Sequence, residues 1–395
     1  MYDLDVVIIG AGPAGLLAAD RFLGSSAFDA RVTILEALRQ SGGIPRLYPT
    51  VAPNSPFNDL YSFLMDLRAE GALSSSANQI ASEILQKARN APSLAEIANT
   101  FSLLNEDLLS QDGNFGIFYE TTVKTIYQQD NGSFELEYNN PYGASNRYTA
   151  DVVVCAQGGI PRKNPYSKIF GLEYTIGDAL NSGSCLFRDK KVVILGASHS
   201  GAIALINAVQ QGAQKVEVWY KTDPFKEHHV TSEGVKYYQF SGINEPTLGR
   251  LKEALQSAGE RVVFRSIDSL ALGGVFPTRV YKDWCVVPAI GFERSPIYFS
   301  ARGSKKRELT AVLQGEKFGD CAPNLCYPGT KDAIPGLYGL GLAYPLIFTP
   351  GFLPNTVESE KAAIVGIYFS YELSKLLVPD VLQNLASRLS VSEET

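Results

Sequence analysis

The chain has 395 residues, 45% of them hydrophobic and 19% charged, which supplies two or three conventional cores and excludes extensive disorder. A net charge of -6 leaves no basic field for phosphate backbones or anionic lipid, so nucleic-acid and membrane-surface partners are not expected and the ligand should be a small molecule. No apolar run reaches the roughly 20 residues that span a bilayer.

In chain order, Met1 is followed by Asp3 and Asp5 rather than a cationic leader, so no secretory signal is expected. Asp5 to Gly10 then reads as a buried parallel strand, because its apolar run is rich in β-branched residues. The turn Gly10-Ala11-Gly12-Pro13-Ala14-Gly15 and an Ala/Leu-rich helix follow at once. Gly10 permits the tight bend, Gly12 lets a pyrophosphate approach the backbone, and Gly15 lets helix pack on strand. The helix N-terminus faces the phosphates with its partial positive charge. A second strand, Arg31 to Leu35, ends at Glu36, 21 residues after Gly15, where the ribose-binding acid of such a unit belongs. The loop that follows carries Arg46 and Tyr48, with Arg46 able to orient an anion or a nicotinamide dinucleotide.

Helical periodicity marks Ala77 to Asn90 and Ser93 to Ser110, and this spacing is read as packing. Gly116 to Gln129 and Ser133 to Tyr138 alternate as strands of a small antiparallel sheet, with Asn131-Gly132 as the hairpin turn. Asp151 to Gly159 runs from an apolar strand into the small-residue turn Ala156-Gln157-Gly158-Gly159.

The strand–turn–helix pattern then returns. Lys191 to Leu195 is the strand, Gly196-Ala197-Ser198-His199-Ser200-Gly201 the turn, and Ala202 to Gln211 the helix, with Ser198 in place of the middle glycine at some cost in clearance. The next strand, Lys215 to Trp219, ends in Tyr220-Lys221 instead of an acid. A cation there attracts a 2′-phosphate that an acid would repel, which selects NADPH, with Lys226 or His228 as helpers. His228 and His229 are otherwise read as exposed residues of a polar loop. Cys285 to Phe292 is another strand leading into a small-residue turn.

Taken together, these segments resemble the flavoproteins with two dinucleotide-binding domains, the group of flavin-containing, Baeyer-Villiger and N-hydroxylating monooxygenases and thioredoxin-reductase-like disulfide reductases. The resemblance rests on Gly10 to Gly15, Glu36, Cys155 to Gly159, Gly196 to Gly201, and Ala289-Ile290-Gly291-Phe292, which is similar to the family's Ala-Thr-Gly-Phe segment. It implies an α/β fold with two Rossmann-like, three-layer dinucleotide-binding domains. The FAD domain is split, at about 1–166 and 285–395, and the NAD(P)H domain of about 167–284 is inserted between its parts. The cofactors implied are FAD and NADPH. The Val123 backbone is expected at the FAD adenine, and Gly336 to Leu342 resembles the Ala-Gly-Asp segment beside the flavin, with Leu342 in the aspartate position. Asn355-Thr356-Val357-Glu358 is read as a capping box opening a helix from Ser359 to Leu377, aimed at the flavin pyrimidine or serving as a plain cap. The expected cofactor contacts are therefore Gly10, Gly12, Pro13, Ala14, Gly15, Glu36, Arg46, Val123, Ala156, Gln157, Gly158, Gly196, Ser198, His199, Ser200, Gly201, Tyr220, Lys221, Ile290, Gly291, Gly341, Asn355 and Thr356.

The chemistry is less constrained. Arg46, Tyr48 and His199 are the candidates for a catalytic side chain, although in such a protein the cofactors carry the hard steps. The Gly-Ala-Ser-His-Ser-Gly turn resembles the monooxygenase form, and no Cys-x-x-Cys pair is present for disulfide reduction. The monooxygenase Phe-x-Gly-x-x-x-His fingerprint is irregular around Phe170, with Thr175 in the histidine position. A monooxygenase is thus favoured, acting on a small apolar substrate suggested by the aromatic run Tyr344 to Phe352, with molecular oxygen as co-substrate. An NAD(P)H-dependent reductase of a quinone, thiol or protein partner and a non-catalytic FAD-binding redox sensor stay open, as does a homodimer. Cys155, Cys185, Cys285, Cys321 and Cys326 are scattered and odd in number, which suits a reducing, cytoplasmic setting. With three histidines and no Cys/His cluster at zinc spacing, no metal is expected.

Overall fold

The computed structural model describes residues 2–43, 82, 94–110, 113–181, 183, 185–221, 227–230, 236–238, 245–270, 278–301, 304–310, 312–313, 315, 319–347, 363–364 and 367–393. The first strand, β1 (Tyr2–Ile9), is apolar because both of its faces are covered. Leu4, Val6 and Ile8 turn to a layer of helices, and Val7 and Ile9 to a second sheet. The chain passes through the Gly10 turn into α1 (Pro13–Leu23) and returns as β2 (Phe28–Leu35), parallel to β1 with Ile8 opposite Ile34. Helix α2 (Leu94–Leu109) then leads to β3 (Phe115–Phe118), which adds in parallel outside β2.

Here one expectation is corrected. In place of a single strand from Gly116 to Gln129, the chain breaks at Glu120, whose φ is 54°, and restarts as β4 (Thr122–Gln128) in a different sheet. Backbone hydrogen bonds from Glu120 to the Leu38 carbonyl (3.0 Å) and from Thr121 to the Glu36 carbonyl (2.8 Å) pull it across the end of β2. The hairpin from β4 to β5 (Phe134–Asn139) turns at Asn131-Gly132 as expected, with Gly132 at φ 82° and the Asn131 side chain accepting from the Ser133 N–H at 3.0 Å. Then β6 (Ser145–Ala150) extends this sheet, and β7 (Val152–Cys155) returns beside β1.

After β8 (Ile160–Pro161) come β9 (Leu172–Glu173) and α3 (Ile176–Leu180), capped by the Thr175 hydroxyl accepting from the Asp178 N–H. The second strand–turn–helix unit is β10 (Lys191–Leu195), α4 (His199–Gln210) and β11 (Lys215–Tyr220). A small hairpin, β12 (Glu227–Val230) and β13 (Lys236–Tyr238), contains His228 and His229, so these lie on a strand and not on the polar loop expected. Helix α5 (Glu245–Ala258), β14 (Val262–Ser266) and β15 (Cys285–Pro288) complete an all-parallel sheet ordered β14-β11-β10-β15-β9. Its Val192, Ile194, Val216 and Val218 pack under α3, α4 and α5, while Trp219, Tyr281 and Trp284 cover the opposite face.

The remaining elements return to the first half of the molecule. β16 (Phe292–Glu293) pairs antiparallel with β8, and β17 (Tyr298–Ala301) with β18 (Arg307–Glu308) joins β4. β19 (Asn324–Cys326) and β20 (Ala333–Gly339) close the first sheet, whose order is β19-β20-β7-β1-β2-β3. The helix expected from Ser359 to Leu377 is also corrected. Ala363–Ile364 forms β22, paired with β21 (Leu346–Ile347), and among the described residues of this stretch helix is found at α6 (Ile367–Ser374), followed by α7 (Leu377–Glu393). Tyr371 and Leu377 bury against the same core as α1, so three layers result: helices, a mainly parallel sheet and a mainly antiparallel sheet. Among the described residues no helix is long and apolar enough to cross a membrane, and no group of three or more His, Cys, Asp or Glu could hold a metal ion.

Candidate dinucleotide sites

The first turn is held by contacts that require its glycines. Gly10 has φ 102°, and a side chain there would meet the Ala156 carbonyl oxygen at 2.6 Å and the Gln157 Cα at 2.8 Å, so β7 is pressed against the bend. A methyl on Gly15 would run into the Gly10 carbonyl, which is how α1 packs onto β1. Gly12 is different: among the described residues the nearest atom to its missing Cβ is the Gly43 Cα at 3.9 Å, which leaves room beside the helix start. Pro13 begins α1 with no side-chain cap and no acid in the first turn, so the leading N–H groups are left for an anion. Gly341, at φ 72°, brings the far end of the chain to within 3.3 Å of Ala14, measured from an added Cβ.

Glu36 sits at the rim of this turn. It is buried, and its carboxylate accepts the Ala11 N–H at 2.6 Å and the Leu38 N–H at 2.7 Å. Burial raises its pKa above the ordinary carboxylate value, and the backbone donors of Ala11, Leu38 and Ala37 oppose the rise.

The second turn repeats the first. The Gly10 N–H bonds to the Leu35 carbonyl at 2.9 Å, and the Gly196 N–H to the Trp219 carbonyl at 2.8 Å, which makes Tyr220 the positional counterpart of Glu36. Gly196 has φ 101°, a methyl on it would strike the Ala289 carbonyl, and one on Gly201 would strike Gly196. Ser198 has a φ of −91°, ordinary for any L-residue, so its backbone is unstrained there, and its hydroxyl does not cap α4. His199 is the first, buried residue of that helix, Ser200 and Gly201 follow, and no acid occupies the first turn. Lys221 is exposed just past β11. The Gly291 carbonyl accepts the Arg162 N–H at 3.0 Å, so Ile290 and Gly291 lie beside the outgoing crossover.

Several sequence-predicted residues are thus gathered: Ala156 and Gln157 at Gly10, Gly341 at Ala14, and Ala289 at Gly196. Val123 is buried in β4 two residues after the Thr121 bond to Glu36. Leu342, in a tight helical turn over Gly341–Ala343, approaches Gly159 to 2.9 Å from an added Cβ. Arg46, Tyr48, Lys226, Asn355, Thr356 and the Ala77 to Asn90 helix, apart from Ser82, lie outside the described residues. All five cysteines are free, and burial pushes the thiols of Cys155, Cys321 and Cys326 up, away from reactive thiolate.

Two clusters were not anticipated. Tyr344, read as part of a substrate-facing aromatic run, is buried and its hydroxyl accepts from Gln157 Nε2 at 3.1 Å. Glu217, buried in mid-strand, accepts from Tyr281 Oη (2.7 Å) and Trp219 Nε1 (3.3 Å) and pairs with Arg265 Nε at 3.0 Å. A lone acid inside the apolar Val216-Glu217-Val218-Trp219 run was the signal for the second cluster.

Two parallel sheets, each carrying a glycine turn against an uncapped helix start, define an FAD- and NAD(P)-dependent oxidoreductase with two dinucleotide-binding domains. Both turns fit the cofactors, since neither helix start has a side-chain cap, and among the described residues the Gly12 side of the first is left open. The chain belongs to the pyridine nucleotide-disulphide oxidoreductase family, whose sequence pattern matches residues 4–243. Among solved structures it is similar to an ornithine N-hydroxylase from Kutzneria sp. 744, at 15% identity and TM-score 0.60, covering 97% of this chain and 100% of that one. It is also similar to a cyclohexanone monooxygenase from Rhodococcus sp. Phi1 (13%, TM-score 0.58, 98% and 85% covered). A third similar structure is the bacillithiol disulfide reductase of Bacillus cereus (14%, TM-score 0.56, 98% and 100% covered). No curated protein matches the chain by sequence.

Proposed function

We propose that the protein is an NADPH-dependent flavin monooxygenase acting on a small substrate. The observation that carries this reading is the state of its thiols: all five are free, and burial keeps Cys155, at the end of β7, as a neutral thiol. Such a thiol is a poor relay for electrons bound for a disulfide. FAD, when bound, would accept hydride and supply the oxygen chemistry. Gly10, Gly12 and Gly15 with the start of α1 would hold its pyrophosphate, and Glu36 would take the adenosine ribose in place of part of its present backbone bonding. Gly196, Ser198 and Gly201 would hold the second dinucleotide. Tyr220 in the place of an acid, with Lys221 beside it, favours the 2′-phosphate of NADPH. We place the NAD(P)H domain at 167–288, four residues beyond the limit read from sequence, because β15 pairs with β10. Tyr344 is buried, and Phe348 to Phe352 of the aromatic run lie outside the described residues.

A reductase of a thiol or quinone is the second reading, favoured by one detail: Cys321 is near enough to Cys326 to help raise its pKa. Anaerobic reduction by NADPH and NADH, followed by oxygen, tests both. Bleaching of flavin absorbance with NADPH preferred, then oxygen uptake coupled to an oxygenated product, is expected. Brisk anaerobic turnover with a quinone or disulfide and no oxygenated product would replace the first reading with the second. A flavin unreduced by either nucleotide would leave a redox sensor.

A further inference from the structure

Glu217 occupies a place that its own strand would suit to hydrocarbon. In β11, Val216 and Val218 turn to the helices, while Glu217 turns with Trp219 to the opposite face and is buried there. Replacing a buried ion pair by hydrophobic residues of similar volume is often neutral or stabilising, so stability alone does not explain the carboxylate. Its Oε2 meets Tyr281 Oη at 2.7 Å, Trp219 Nε1 at 3.3 Å and Arg265 Nε at 3.0 Å. Burial and the nearby carboxylate both raise the Tyr281 pKa, so the phenol stays protonated and remains a donor.

The indole held in this way belongs to the residue that closes the second glycine turn. The Trp219 carbonyl accepts the Gly196 N–H at 2.8 Å, and the next residue is Tyr220, the counterpart of Glu36. Tyr281 meets the Trp219 ring edge-on, 4.9 Å between centroids, and Phe170 and Tyr166 pack on it at 5.5 and 6.2 Å. Tyr166 and Phe170 lie on the outgoing crossover, which Asn164 fastens. Its Oδ1 accepts the Tyr166 N–H and its Nδ2 donates to Glu173 Oε2 in β9, both at 2.8 Å. A turned indole would therefore disturb the crossover on one side and the Trp219 backbone on the other. A dinucleotide turn works by aiming backbone N–H groups, and a shift of about 0.5 Å takes a bond of about 2.9 Å out of its useful range.

We propose, resting on the reading of Gly196–Gly201 as the NAD(P)H site, that Glu217 is a positioning residue for the nicotinamide dinucleotide. It anchors the Trp219 indole, and through it the carbonyl that holds Gly196 and the backbone entering Tyr220. Calorimetric titration of FAD-loaded protein with NADP⁺, and with NAD⁺ in parallel, measures this without turnover. Glu217→Met keeps the length of the side chain, removes the carboxylate and should weaken NADP⁺ about tenfold. Glu217→Gln should bind within about twofold of wild type, because its amide oxygen still accepts from the indole. Trp219→Phe removes the indole N–H and leaves Tyr281 and Arg265 on Glu217. It should cost about as much as Glu217→Met, and the double variant no more than either. FAD affinity, read by flavin fluorescence, should stay within about twofold throughout. A merely structural Glu217 would lower the melting temperature in Glu217→Met and leave NADP⁺ affinity within about twofold, which overturns the proposal. So does a Glu217→Gln protein as weak as Glu217→Met, an equal loss for FAD, or losses at Glu217 and Trp219 that add. Should Glu217→Met not fold, Trp219→Phe decides alone, and NADP⁺ bound within about twofold of wild type then overturns the proposal. Wild-type holoprotein that binds neither NADP⁺ nor NAD⁺ removes the reading of Gly196–Gly201 instead.

Discussion

Replacing Gly12 by alanine should abolish tight FAD binding while leaving the fold intact, and replacing Gly10 should do the reverse in order of severity. At Gly12 the backbone has φ −76°, open to alanine, and among the described residues an added Cβ finds nothing nearer than 3.9 Å, so the native chain there need not move. Loss of glycine at the helix cap and the smaller entropy of the unfolded chain roughly cancel, within about 1 kcal/mol. The methyl group does, however, project about 1.5 Å into the space beside the helix start. A phosphate displaced by that length leaves hydrogen bonds of about 2.9 Å stretched beyond useful reach. Losing one or two charge-assisted bonds, at about 1.5–3 kcal/mol each, raises the FAD Kd by at least about tenfold and toward a thousandfold. Gly10→Ala meets a φ of 102° and a carbonyl at 2.6 Å, so the fold itself should lose about 3 kcal/mol or more. Urea midpoints of the apoproteins and FAD fluorescence titration measure the two quantities. The reasoning fails if Gly12→Ala keeps its FAD affinity within about threefold, or if it is less stable than Gly10→Ala.

Three further outcomes follow from the same geometry. Glu36 has its folded pKa raised by burial, so the folded chain holds a proton that the unfolded chain releases from pH 4.5 upward. Its contribution is therefore most favourable below pH 4.5 and is lost as pH rises through the folded value, so the melting temperature of Glu36→Gln apoprotein should gain on wild type from pH 4 to pH 8; a constant difference would contradict this. Lys221→Ala should raise the apparent Kd of NADPH about tenfold in stopped-flow flavin reduction and leave NADH unchanged, and an equal loss for both nucleotides would remove Lys221 from phosphate selection. Glu217→Ala should destabilise the protein by about 1–3 kcal/mol in urea, because it removes the acceptor of the Tyr281 hydroxyl and the ion pair of the partly exposed Arg265, while a neutral result would mean that water replaces the carboxylate.

Local signals were legible where one stretch of chain contains its own reason. The glycine turns, both first strands and the Asn131-Gly132 hairpin could be read because tight bends, helix packing and left-handed φ values select glycine at fixed spacing. What sequence could not show depends on distant partners. The break at Glu120 exists because residues 36 and 38 capture the passing backbone, and β22 exists because Leu346–Ile347 offers it an edge. Tyr344 looked like a substrate contact because an aromatic run does not tell which of its members turns inward. Gln157 could be placed at a nucleotide turn from its neighbours, but the direction of its amide is set by Ser295, 138 residues away.

The pairing of β8 with β16 means that the polypeptide departs for the second sheet and comes back from it through the same doorway, with Pro161 opposite Phe292. Adjacent antiparallel strands lie about 5 Å apart, so everything strung between these positions could be exchanged for another compact unit without rethreading the rest. The molecule is a host carrying a cartridge, and evolution could refit the second sheet while leaving the first undisturbed.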